Sequence, residues 1–170
     1  MNKPQISLLK WMFEDLRKET LEGVNHLTKE QLMQNPIEGE FPIGSYLLHF
    51  AECDIYWLEQ LSGIEQPGEL KKKAFCDKWF DAPETSDPPK ETLEVKYYSD
   101  VINEARKNFL DYISTMTDEQ LEEVIHRKGN VQTKEMPKKW IIYHLFEHEA
   151  HHRGQMFMLI RKAGWNKSKT

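Results

Sequence analysis

The chain has 170 residues, a net charge of −5 and 39% hydrophobic residues, enough for one domain spanning residues 1–170 that buries about 70% of its unfolded surface. The sequence has no large basic block, which argues against nucleic acid as a partner, and no apolar run of about 18 residues to span a membrane. Two cysteines make no disulfide framework and the charged, amphipathic N-terminus is no signal peptide, so a cytoplasmic protein is expected.

Leu8, Leu9, Met12, Leu16, Leu21 and Val24 recur at helical spacing and predict a first helix from about Ser7 to Leu27, with Ser7 as its N-cap and Glu14, Asp15 and Lys18 facing solvent. Thr28 opens TKEQL, a capping box on a short following turn, and NPIEGEFPIG is loop by its Pro and Gly content. A second helix is predicted from Ile43 or Gly44 to Leu61. Residues 63–96 are polar and carry Pro67, Gly68, Pro83, Pro88 and Pro89, so they read as a long excursion with one short helix around Leu70 to Phe75. An excursion of that length in a small domain suits a lid.

A third helix should run from Tyr97 or Ser99 to Met116, after which Thr117 looks like an N-cap for TDEQLEEVI. Lys128, Gly129 and Asn130 suggest the turn of a small hairpin. The last helix, WIIYHLFEHEAHHRGQMFMLI, should end at Gly164. Four main helices with long connections, plus that hairpin before the last, predict an all-α four-helix bundle.

The last helix holds four of the chain's seven histidines within nine residues: His144, His148, His151 and His152. At about 100° per residue the first three fall within about 60° of one another, His152 lies about 40° beyond His148, and Gln155 shares the stripe. Imidazoles a turn apart can share one metal ion, and a buried cluster of them cannot all be charged. A catalytic site wants three protein ligands, and after His152 the chain has no His, Asp, Glu or Cys. The third ligand must come from upstream, and His49 in LLHFAE is the best candidate. Cys53, one turn later, is an alternative whose ordinary reading is a small buried apolar residue. His26 and His126 read as surface residues.

His148-Glu149-Ala150-His151-His152 also fits H-E-x-x-H, the metallopeptidase signature. The context differs: Gln155 and Met158 stand where the extended form needs Gly and His, no downstream ligand follows, and the chain offers only one short hairpin where a metallopeptidase wants a strand to bind extended peptide.

PIGSYLLHFAE on the second helix, with a C-terminal H-x3-H-x3-H-R-G-Q block, resembles the DinB/YfiT-like superfamily over nearly the whole chain. The resemblance implies a four-helix bundle, commonly a homodimer, with one divalent transition metal on three histidines. Matched by motif these are His49, His148 and His152, which leaves His144 and His151 to packing. Zinc or nickel is the expected ion, with iron, manganese or copper as alternatives. The expected activity is metal-dependent transfer of a low-molecular-weight thiol to a small electrophile. A hydrolase that activates water on the metal is the first alternative, and a non-catalytic metal-binding stress-response protein the second. Glu149 and Gln155 are the candidate catalytic residues, Glu149 or Glu52 as base and Gln155 to orient a ligand.

Overall fold

The computed structural model describes residues 3–127 and 135–167. Four long helices form the bundle: α1 (Pro4–Val24), α3 (Ile43–Ser62), α5 (Val95–Thr115) and α6 (Lys138–Lys162). Short helices α2 (Lys29–Met33) and α4 (Gly68–Lys73) lie in the connections, and a 3₁₀ turn spans Glu119–Glu122. Strands β1 (Val124–His126) and β2 (Glu135–Pro137) pair antiparallel, Ile125 opposite Met136, and lead into α6. The expected turn at Lys128–Asn130 lies outside the described residues. Helix α3 packs on α5 and α6, and α1 packs on the same two. The chain is thus an all-α bundle with a small hairpin before its last helix. Among the described residues no helix is long and apolar enough to cross a membrane.

Local sequence explains most element boundaries. Thr28 and Gln31 form the expected capping box: the Gln31 amide donates to the Thr28 hydroxyl at 3.2 Å, and the Thr28 amide donates to Gln31 Oε1 at 2.9 Å. Gly164 sits at φ +73° just past α6, the left-handed position that favours glycine after a helix.

The start of α1 corrects the sequence reading. The helix begins at Pro4, not Ser7, and Ser7 caps nothing. Proline is preorganised for a first helical position, and the free amides of Gln5 and Ile6 both donate to the Asp118 carboxylate at 3.1 Å. The buried face of α1 is Ile6, Phe13, Leu16, Arg17, Thr20 and Val24, while Leu8 is 55% exposed. Thr117 is not the N-cap expected of it: only a 3₁₀ turn follows, its N-cap is Asp118, and the Thr117 amide donates to the Gln120 side chain at 2.9 Å.

The interior divides into two apolar clusters separated by a charged layer. Phe13, Trp57, Phe109 and Leu145 belong to one cluster; Val24, Phe50, Ile102 and Met156 belong to the other. At the boundary each long helix contributes one buried charge: Arg17, Asp54, Arg106 and Glu149. The two guanidiniums and two carboxylates balance, and every helix of the bundle is tied at this level.

Candidate metal centre

Helices α3 and α6 meet beside this charged layer, and their sequence periods set what faces what. His49 and Cys53 are one turn apart on α3, and His148 and His152 one turn apart on α6. His49 Nε2 lies 3.3 Å from His148 Nε2. Two nitrogens bound tetrahedrally to one ion at about 2.0–2.1 Å stand about 3.3–3.4 Å apart, so the two imidazoles already have the separation that a shared ion requires. The His148 and His152 ring centroids are 4.4 Å apart, and those of His49 and His152 are 5.5 Å apart. One ligand atom from each of His49, Cys53 and His148 lies within 4.8 Å of the others.

Two of the rings are oriented from behind. The Glu52 carboxylate accepts from His49 Nδ1 at 2.9 Å, which directs the His49 Nε2 lone pair toward His148. The Gln155 carbonyl oxygen accepts from His152 Nδ1 at 2.6 Å and fixes that ring in the same way. Burial, reinforced by the other histidines around it, pushes His148 down to about 3. Burial likewise lowers His152. Both rings therefore keep the neutral form that binds metals.

The excursion after α3 folds over this site. Phe80 stacks on His49 with centroids 4.4 Å apart and meets His152 edge-on at 5.5 Å. The Asp77 amide donates to the other Glu52 oxygen at 2.5 Å. Phe75, Asp77 and Asp81 all hold positive φ, between 48° and 57°. Left-handed backbone is uncommon in residues with a side chain and strained for a bulky one such as Phe75. Under this segment lies a cavity of about 380 Å³ lined by His49, Glu52, Cys53, Tyr56, Cys76 and Phe80. Burial pushes the Cys53 thiol well up and Cys76 up to about 12, with nearby carboxylates adding to both.

The other four histidines, which the sequence leaves to packing or to the surface, make contacts of their own. His144 stacks on Trp140 at 4.9 Å and meets Trp57 edge-on at 5.3 Å. His151 is exposed. His26 Nε2 bonds the Trp165 carbonyl at 2.8 Å, and His126 pairs with Glu135 on the surface.

Glu149 corrects the expectation of a catalytic base. It lies about 100° around α6 from His148, which turns it into the bundle and away from the histidine stripe. Its side chain is 1% exposed. The carboxylate accepts from Arg17 Nε and Nη2 at 3.0 Å each, from Arg106 Nη2 at 2.8 Å and from the Thr20 hydroxyl at 2.9 Å. Asp54 in turn accepts two bonds from Arg106, both at 2.9 Å, and one from Arg17 at 3.2 Å. Burial alone would push the Glu149 carboxyl up, but the two guanidiniums outweigh it and hold it at about 2. A carboxylate bound this way has no capacity left to take a proton from a substrate.

Comparison with known proteins agrees with this architecture. The family model described as the DinB family matches residues 1–170. The uncharacterized protein YrdA of Bacillus subtilis (strain 168) is 28% identical over 158 residues, covering 92% of this chain and 81% of YrdA. A solved DinB-like protein from Bacillus cereus is 25% identical, with a TM-score of 0.64 over 92% of this chain and 90% of its own. YfiT from Bacillus subtilis, described as a probable metal-dependent hydrolase with an unusual four-helix bundle topology, is 16% identical. Its TM-score is 0.67 over 98% of this chain and 91% of YfiT. With a match along its whole length and the bundle in place, the chain belongs to the DinB family.

Proposed function

We propose that this protein is a divalent-metal enzyme that activates a low-molecular-weight thiol for transfer to a small electrophile, with the ion on His49, His148 and His152. The observation that carries the reading is the 3.3 Å approach of the His49 and His148 ε-nitrogens, with His49 lining a cavity sized for a small molecule. When bound, such an ion lowers the pKa of a coordinated thiol or water. The chain supplies the rest: Glu52 and Gln155 orient two of the rings, and Phe80 shields the site from water. Thiol chemistry ranks first because both candidate carboxylate bases are engaged, Glu149 by arginines and Glu52 by His49 and the Asp77 amide. A thiol, with an ordinary pKa of about 8.5, needs less help from a base than water does. Zinc and nickel suit the imidazole set best, with iron, manganese and copper as alternatives.

A metal-dependent hydrolase is the second reading, favoured by the description of YfiT. One experiment separates the two. Metal content is measured on wild type and His49→Ala, purified without added metal or a histidine tag, and the loaded wild type is assayed with thiol plus alkylating electrophiles and with small esters and amides. About one ion per chain, lost in the variant, with thiol-dependent turnover is the expected result. Ester or amide hydrolysis without thiol would select the hydrolase, and metal retained by His49→Ala would refute the shared site.

A second copy of the chain is the partner we place on the α1–α6 face. Trp11, 60% exposed, borders a groove with Met12, Phe146 and Phe157, and Tyr143, 61% exposed, lies one turn before Phe146. Sedimentation equilibrium is expected to give a dimer, and a monomer at high micromolar concentration would remove this part of the reading.

A further inference from the structure

The geometry points to Cys53 as a further ligand, making the centre a mixed imidazole–thiolate site. This inference rests on the metal reading above and goes beyond its three histidines. Cys53 Sγ lies 3.5 Å from His49 Nε2 and 3.9 Å from His148 Nε2. A sulfur and a nitrogen bound tetrahedrally to one zinc-sized ion, at about 2.3 Å and about 2.0–2.1 Å, stand about 3.5–3.6 Å apart. One of the two distances meets that value and the other exceeds it by a few tenths of an ångström, within the reach of a small side-chain rotation. Three atoms from two helices thus approach the mutual spacing of three corners of one coordination tetrahedron.

Packing alone does not account for this arrangement. Cys53 abuts the apolar cluster around Trp57, so a small residue fits there. Packing does not require that its sulfur stand within 4 Å of two imidazole nitrogens and line the same cavity as His49. The i, i+4 spacing on α3 puts His49 and Cys53 on one face, as His148 and His152 are on α6.

A thiolate changes what the site selects and how it acts. It brings the charge of the ion and its protein ligands from +2 to +1. It also biases the site toward zinc, cobalt, nickel and copper(I), and away from manganese and magnesium. With three imidazoles it would make four protein ligands, the closed set that structural zinc sites use, so thiol chemistry at this centre would need one of the four to give up its place. Binding releases the Cys53 proton, because the thiolate is the ligand form.

Cobalt(II) is the probe. Metal-free wild type, Cys53→Ser and Cys76→Ser are titrated with cobalt(II) and followed by absorption. The expected result is a near-ultraviolet thiolate-to-cobalt charge-transfer band in wild type and Cys76→Ser, lost in Cys53→Ser, whose visible d–d bands remain. Visible bands in wild type without the charge-transfer band, or a charge-transfer band that survives in Cys53→Ser, would overturn the inference and leave the histidine site standing. No d–d absorption in wild type would overturn both. A second readout uses wild type alone: alkylation mapped by mass spectrometry should reach Cys53 in the metal-free protein and be blocked there by zinc. Equal labelling of Cys53 with and without bound zinc counts against the thiolate ligand.

Discussion

Replacing Glu149 with alanine is expected to destabilise the fold by about 3–5 kcal/mol, the cost of breaking a buried ion pair by removing one partner. Arg17 and Arg106 are each 4% exposed and would be left facing Asp54 alone, with an uncompensated positive charge inside the bundle. At a urea dependence of about 1–3 kcal/mol per molar, the unfolding midpoint should fall by at least about 1 M. A general base would behave differently: its loss would abolish turnover and spare stability. A Glu149→Ala protein as stable as wild type would therefore refute the structural role. The acid limb gives an independent check. The Glu149 carboxyl is held at about 2 in the fold, below its ordinary 4.5. Its stabilisation is complete above about pH 4.5 and is lost as the pH falls toward 2, so the gap between wild type and variant should narrow over that window.

The charged layer also shows what the sequence concealed and why. The long helices were legible because apolar residues repeat at 3.6, and three of the four long helices begin or end within two residues of the pattern's limits at most of their ends. The start of α1 was not legible, because its cap is Asp118, more than 110 residues away. Arg17 escapes a sequence reading because polar residues are assigned to solvent by default. A local signal was nonetheless present: Phe13, Arg17, Thr20 and Val24 follow i, i+4, i+7, i+11, so Arg17 lies on the buried stripe. Asp54, between Ala51 and Leu58, and Arg106, between Ile102 and Phe109, repeat that signal. Four such residues of balanced charge on four helices form a pattern that no single helix displays. The H-E-x-x-H spelling suggests chemistry for Glu149, although one residue after a histidine is about a quarter turn away from it. The histidine stripe on α6 could be read because side chains four apart share a face. Its convergence with His49, and with the sulfur of Cys53, depends on how α3 and α6 pack, which spacing within either helix does not encode.

Metal affinity should survive mild acid better than an ordinary histidine site would. An imidazole of ordinary pKa, about 6.5, is only about 3% neutral at pH 5, so a site of three such rings loses about 10⁴-fold in affinity between pH 7 and pH 5. His148 is held down to about 3 by burial and by the neighbouring histidines, and it contributes none of that loss. The fall due to the imidazoles is therefore at least about 25-fold smaller than for three ordinary rings, His152 being lowered as well. The metal-free protein should show the opposite sensitivity. The unfolded chain takes up a proton on this histidine near pH 6.5, whereas the fold refuses it until about pH 3, so metal-free stability declines as the pH drops through 6.5. Zinc affinity measured by competition at pH 7 and pH 5, beside melting curves of the metal-free protein at both, tests the two halves together. In Cys53→Ser, where no thiol adds its own proton to the balance, a full 10⁴-fold fall in affinity would mean that His148 titrates like an exposed ring and not as one half-buried between α3 and α6. A His148→Ala protein should bind zinc weakly at both pH values, yet lose less metal-free stability than wild type between them, because the ring that resists protonation is gone.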